Sequence, residues 1–234
     1  MIVVNSFAKE TPVKHFISVL AMAGIVTGAL AQPLVAQSAG KPSGATRIEI
    51  TEGKARFRVG ERMVGIDTGN DATGTTEAVT GVVVLKADGS IDSSQSKITV
   101  DMKTLKSDQQ LRDMYLQGYI LHTEKFPTLE FVPTKAVGMP FPLPMGKPLP
   151  GTKLTNYPEP AAFKLVGNMT LHGVTKEVTW NIVATINNET VSGQADTTMQ
   201  FAQFGLTKPS VPLLASVSDD IRLEVEFRTK RSAN

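Results

Sequence analysis

Cysteine is absent from this 234-residue chain. Disulfides, thiolate nucleophiles and cysteine-ligated zinc sites are therefore excluded. An excess of charge of one sign is missing too, because 24 Lys and Arg stand against 22 Asp and Glu. A protein that binds duplex nucleic acid would carry a basic face, so nucleic acid is not an expected partner.

Histidine is scarce, with three in the chain. His122 and His172 are the two outside the N-terminal segment, and a metal site needs about three ligands, so no metal is predicted. In "MTLHGVTKEVTW", His172-Gly173 lies between two segments of alternating apolar and polar residues, which is the position of a hairpin turn. Such a turn needs positive φ, and glycine supplies it. His172 is therefore predicted to be a turn residue and not a catalytic base. The acidic segment 65–74 lacks the closing Glu of a calcium loop and is predicted to be an exposed loop.

The N-terminus carries an uncharged run, "FISVLAMAGIVTGALA", at residues 16–31. Lys9 and Lys14 precede it, and its length and its small-residue end are typical of a cleaved signal peptide. An uncleaved anchor and a buried helix are the competing interpretations. We therefore expect export to the periplasm or the medium and no stable membrane insertion after cleavage. The predicted divisions are a signal peptide (1–31), a flexible linker (32–44), one domain (45–230) and a tail (231–234).

Strand patterns dominate the rest of the chain. In "SKITVDMKTL", Ile98, Val100 and Met102 share one face, and polar residues share the other. One short helix is predicted in "LKSDQQLRDMYLQG". The Pro-rich segment 139–160 cannot pair in a sheet and is predicted to be a loop within one domain. It would serve as a plain surface loop, a lid or a docking surface. About eight antiparallel strands and one helix favour an all-β barrel or sandwich.

Three segments resemble the YceI-like family of lipid- or polyisoprenoid-binding proteins. They are "SKITVDMKTLKSDQQLRDMYL", "TEKFPTLEFVPTKAV" and "GNMTLHGVTKEVTWNIVATI". The resemblance covers roughly residues 45–230. It implies an all-β, lipocalin-like antiparallel barrel of about eight strands, with one short α-helix closing an end. It also implies a periplasmic or secreted protein whose barrel holds long isoprenoid chains. The chain departs from the family in "GKARFRV" and in the length of its Pro-rich segment.

The function expected from these features is binding without covalent chemistry. The predicted partner is a long apolar small molecule (a polyisoprenoid, an isoprenoid quinone or a similar lipid), carried or scavenged, with no other cofactor. A homodimer is compatible with the sequence. A structural or stress-related interaction module with a packed barrel is the alternative, and a hydrolase or isomerase using a histidine is less favoured.

The binding site is predicted to lie inside the barrel. Small inward residues, Gly167, Ala184, Gly193 and Ala195, would leave room for a ligand, or would relieve crowding at barrel corners. Arg112 is predicted to contact a polar head group of the ligand at the mouth of the barrel. The predicted lining residues are Phe57, Ile98, Val100, Leu111, Tyr115, Phe131, Leu165, Met169, Trp180, Ile182, Met199 and Leu223.

Overall fold

The computed structural model describes residues 44–65, 69–143, 159–212 and 214–233. The predicted signal peptide, nearly all of the linker and residues 144–158 of the Pro-rich segment lie outside the described residues. The described strands are β1 (Thr46–Met63), β2 (Asn70–Thr76), β3 (Val79–Leu85), β4 (Lys97–Asp101), β5 (Lys106–Ser107), β6 (Thr128–Val137), β7 (Ala161–Leu171), β8 (Val174–Ile186), β9 (Val191–Gln200) and β10 (Leu214–Ala233).

Eight of these strands close an antiparallel barrel, as the sequence predicted. The order is β10-β9-β8-β7-β6-β4-β3-β1, and the sheet closes because β1 also pairs with β10. β1 pairs with β10 along its whole length, while its other edge is shared by β3 and β2. Register shifts in the β1–β10 pair mark bulges, which bend strands and help a small barrel to close. β2 and β5 are the two extra strands.

Alternating side chains build the interior. Along β8 the predicted inward residues are all buried, whereas the residues between them are largely exposed. Since successive side chains of a strand point to opposite faces, every second side chain of β8 faces the interior, and these side chains are apolar. The inward residues of β8 are Val178, Trp180, Ile182, Ala184 and Ile186.

Helix α1 (Gln110–Tyr115) lies at one end of the barrel and continues into a π-helical turn, Leu116–Ile120. We call this the helix end. Two 3₁₀ turns, Met102–Thr104 and Phe201–Phe204, follow β4 and β9 at the same end. One short helix at a barrel end is the predicted arrangement. The opposite end, where β6 leads into the Pro-rich segment, is called the Pro-rich end.

Two expectations about loops and ends are wrong. Segment 65–74 is not a loop throughout, because residues from Asn70 onward form β2 and pair with β1 from Glu61 to Ala55. Its inward residues include Ala72 and Gly74, which are too small to give a clear hydrophobic pattern. The predicted tail is not separate either, since β10 continues to Ala233 and Arg231 pairs with Ile48.

Candidate functional site

The barrel interior contains a cavity of about 230 Å³. Its lining is almost wholly apolar and comes from every strand of the closed barrel. Nine of the predicted lining residues lie on its wall, although their contact with a ligand stays a prediction. They are Phe57, Ile98, Val100, Phe131, Leu165, Trp180, Ile182, Met199 and Leu223.

Three predicted lining residues lie elsewhere. Met169 is fully buried in the core but is not on the cavity wall, and Tyr115 packs against the core from the helix. Leu111 is 80% exposed, so its assignment to the cavity is wrong. Met114 is 63% exposed as well, so of the apolar residues of this helix Leu111 and Met114 face solvent while Tyr115 packs inward. The π-helical turn closes the end instead.

The residues that close the two ends were not identified from the sequence. At the helix end the lining includes Leu116, Ile120 and Leu121. At the Pro-rich end it includes Met139 and Leu143, and Leu143 is only 3% exposed. The first residues of the Pro-rich segment therefore cover the cavity and are not a plain surface loop. The apolar pair at residues 120–121 was the available signal for the helix end.

Of the two explanations for the small inward residues, relief of crowding applies to Gly167 and Gly193. A Cβ atom on Gly193 would collide with the Val183 carbonyl oxygen and would lie 2.6 Å from Ala184 Cα. A Cβ atom on Gly167 would meet Pro133 Cα at 2.7 Å. These glycines let neighbouring strands approach closely, so they relieve crowding and do not leave room for a ligand. Ala195, in contrast, does line the cavity.

Arg112 is engaged with acidic side chains. Its guanidinium donates to Glu61 Oε1 at 3.1 Å and also contacts Asp108. The Glu61 side chain is 7% exposed and that of Arg112 is 20% exposed. This ion pair joins α1 to the C-terminal end of β1 and so holds the helix end in place. A ligand head group that bound Arg112 in place of Glu61 would leave the buried Glu61 carboxylate without a partner. Because an unpaired buried carboxylate costs free energy, the head-group contact would have to offset that cost.

The structure brings together the two histidines that the sequence left far apart. His172 and Gly173 form the two-residue turn between β7 and β8, with φ of 52° and 77°. Positive φ at both positions is the type I′ hairpin pattern, which confirms the predicted turn role. The His122 ring stacks on His172 at a centroid distance of 5.3 Å, and Phe126 meets it edge-on at 4.6 Å. His122 also has positive φ, of 47°.

This histidine pair lies in a surface groove at the helix end, and Glu124 is the one carboxylate among the described residues that line the groove. The nearby carboxylate, Glu124, is exposed and paired with Lys103. Burial, then His122 and Lys125 nearby, lower the pKa of His172, while a hydrogen bond to the Phe204 backbone opposes them. Neutral His172 is therefore the form that the folded hairpin prefers. Within the described ranges, no group of three or more potential metal ligands occurs.

The lowered pKa predicts a pH-dependent stability. As pH falls, His172 takes up its proton at a higher pH in the unfolded chain than in the folded protein. The free energy of unfolding should therefore fall as pH drops through about 6.5. The His172→Asn variant should keep the turn, since Asn favours positive φ, and should lose less stability between about pH 8 and pH 5. Melting temperatures across that range measure this. The lowered pKa values of Asp88 and Asp92 act at more acidic pH. Equal slopes in both proteins would contradict the assignment to His172.

Comparison with known proteins identifies the family to which this chain belongs. The model of the YceI-like domain matches residues 47–229, which is most of the chain. The chain belongs to the YceI-like family. The match spans the strands of the closed barrel and therefore most of the cavity wall of this YceI-like chain. The comparison with curated proteins finds no match.

Solved structures share the fold of this YceI-like chain. A polyisoprenoid-binding domain from Saccharophagus degradans, implicated in plant cell wall breakdown, superposes with a TM-score of 0.56 and 10% identity, covering 78% of this chain and 97% of that one. BcnA from Burkholderia cenocepacia gives 0.51 and 13%, covering 75% and 95%. In the part of the chain that the structure describes, no helix is long and apolar enough to cross a membrane.

Proposed function

We propose that this YceI-like chain is an exported binding protein that holds a long apolar molecule inside its barrel, as a carrier or scavenger. The observation that supports this most directly is the apolar cavity of about 230 Å³ in the barrel. An eight-stranded barrel is either filled by its own side chains or encloses one ligand, and this one leaves space. Polyisoprenoids, isoprenoid quinones and similar lipids are the ligand classes proposed.

The lining supplies affinity through burial alone. Each CH₂ group that leaves water contributes about 0.8 kcal/mol before the costs of ordering. The cavity wall has few polar groups, so it would reject a charged head group, whose burial without a partner is costly. The Saccharophagus degradans domain is described as polyisoprenoid-binding, which supports the same ligand class for this chain.

Extraction of the native protein tests this proposal. The protein is purified from its own host without detergent and extracted with organic solvent, and the extract is analysed by mass spectrometry. A stoichiometric lipid supports the proposal and identifies the ligand class. A clean extract, together with no binding of an added isoprenoid quinone, would favour a structural module. The intact mass of the same sample tests export, since cleavage after Ala31 removes residues 1–31.

A further inference from the structure

One seam of the barrel wall is paired along only part of its length. The pairing of β4 with β6 ends at Ile98 and Phe131, whereas β6 continues to Val137 at the Pro-rich end. Pro133 lies in this stretch, and proline, which has no backbone N–H group, is typical of a strand edge. Beyond Phe131, the described part of β6 pairs with β7 alone. The wall therefore needs another segment to cover it here.

Residues 139–143, which we call the cover, supply that segment. Met139 and Leu143 line the cavity, and Leu143 is 3% exposed. The Phe141 ring lies on the turn that follows β3, where a Cβ atom on Gly89 would come within 2.6 Å of Phe141 Cγ. The cover thus reaches from the end of β6 to the turn after β3.

Side-chain packing holds the cover in place. Within the described ranges of the chain, no hydrogen bond or ion pair joins residues 139–143 to the barrel. Pro140 and Pro142 cannot donate one through their backbone, because proline has no N–H group. Gly138 precedes the cover with φ of 79°, and a Cβ atom there would meet nothing within 4 Å. Gly138 therefore has the conformational range and the space of a hinge.

The helix end is held by polar contacts as well. The Gln117 side-chain amide donates to the carbonyl oxygens of Lys103 and Leu105, at 3.2 Å and 3.1 Å. The Arg112–Glu61 ion pair adds a contact whose loss would leave a buried carboxylate unpaired. Opening the helix end would break these bonds, whereas opening the Pro-rich end separates apolar surfaces. The Pro-rich end therefore opens at the lower cost.

We propose that the bound molecule enters and leaves the cavity at the Pro-rich end, and that the cover is a lid that swings about Gly138. This inference rests on the proposed function and adds the route by which the ligand reaches the cavity. Leu143 keeps the lid closed, because opening would expose its buried side chain to water. A ligand that filled the cavity would contact Leu143 and Met139 and so hold the lid closed.

A reversible cross-link tests the lid on the intact protein, which has no cysteine of its own. The variant Gly89→Cys/Phe141→Cys joins the cover to the turn after β3. A disulfide needs its two Cβ atoms about 3.8 Å apart, and a Cβ atom at residue 89 would lie 2.6 Å from Phe141 Cγ. The oxidised and reduced forms share both substitutions, so their comparison isolates the effect of the cross-link. Intact mass confirms that the disulfide has formed.

Binding is followed through Trp180, the sole tryptophan, which lines the cavity. The probe is ubiquinone with a short isoprenoid tail, because a quinone ring quenches indole fluorescence on close approach. The oxidised protein should bind it about tenfold more slowly than the reduced protein, since a lid that cannot open limits entry. The matched control is Thr170→Cys/Thr175→Cys, which cross-links β7 to β8 where the two threonine hydroxyl oxygens lie 2.8 Å apart. Oxidation of the control should leave the rate unchanged.

Two loosening variants provide a second readout that needs no cross-link. Phe141→Ala removes the ring that lies on Gly89 and should speed release of the quinone by about tenfold, because apolar contact that keeps the lid closed is lost. Gln117→Ala is its matched control, since it removes two hydrogen bonds at the helix end. The release rate should be unchanged in Gln117→Ala.

The outcomes separate this inference from the proposed function. If the oxidised and reduced forms of Gly89→Cys/Phe141→Cys bind the quinone at equal rates, the lid is overturned and the proposed function stands. The same holds if Gln117→Ala speeds release and Phe141→Ala does not. If the wild-type protein binds no quinone and its native extract is also clean, both fail. Slow binding in the oxidised form alone, with faster release from Phe141→Ala, supports both.

Discussion

Gly193→Ala is expected to lower the free energy of unfolding by about 3 kcal/mol, at the upper end of what overpacking costs. Gly193 of β9 pairs with Ala184 of β8, and the added Cβ atom would lie 2.8 Å from Ala184 Cβ. It would also collide with the Val183 carbonyl oxygen, which is backbone and cannot rotate away. The two strands would have to separate at this point, and the barrel wall would lose hydrogen bonds.

Urea unfolding of the purified barrel measures this change. Gly118→Ala is the matched control, because a Cβ atom there has no neighbour within 4 Å. Gly118 lies in the π-helical turn, where alanine should be neutral or slightly stabilising. A Gly193→Ala protein as stable as the wild type would show that β8 and β9 separate at little cost. The close approach would then not be needed for the barrel.

This result bears on how small residues in a barrel strand are interpreted. From the sequence, an inward glycine is equally compatible with an open interior and with a crowded backbone. Only the positions of the neighbouring strands distinguish the two, and at Gly193 and Gly167 they show crowding. At Ala195 they show open space. Side-chain size along one strand therefore does not predict cavity volume.

The fold itself was predictable because its main signal is local. Alternation along β8 and β10 specifies which face is buried, and His172-Gly173 specifies the turn between β7 and β8. Strand β2 escaped prediction because Ala72 and Gly74 carry too little apolar surface to reveal their inward direction. The backbone pairing with β1 forms this strand, and pairing leaves little trace in composition.

The ends of the cavity and the histidine pair depend on contacts between distant segments. Leu143 follows the strand β6 yet lies over the cavity, and no periodic pattern marks it. His122 meets His172 only because the loop before β6 and the turn after β7 lie at the same end of the barrel. Arg112 likewise finds Glu61 across 51 residues of chain. Such pairs are fixed by tertiary structure and not by local sequence.

Ala195→Leu is expected to weaken binding of an apolar ligand by about 60-fold while the barrel stays folded. Ala195 lines the cavity from β9 and lies between Ile182 of β8 and Val225 of β10, which also line it. Leucine adds three carbon atoms and would displace about three CH₂ groups of the ligand. At about 0.8 kcal/mol for each group, the loss is about 2.4 kcal/mol.

Gln194→Leu is the matched control for this variant, because it adds an apolar side chain one residue away on the exposed face. Titration of each protein with an isoprenoid quinone measures the affinities, and urea unfolding confirms that both variants are folded. Binding should fall only in Ala195→Leu. The added leucine fills empty space, so the free energy of unfolding of the Ala195→Leu protein should differ from that of the wild type by no more than about 3 kcal/mol. Equal affinities in the three folded proteins would mean that the quinone binds outside the barrel, and the cavity would then lose its proposed role.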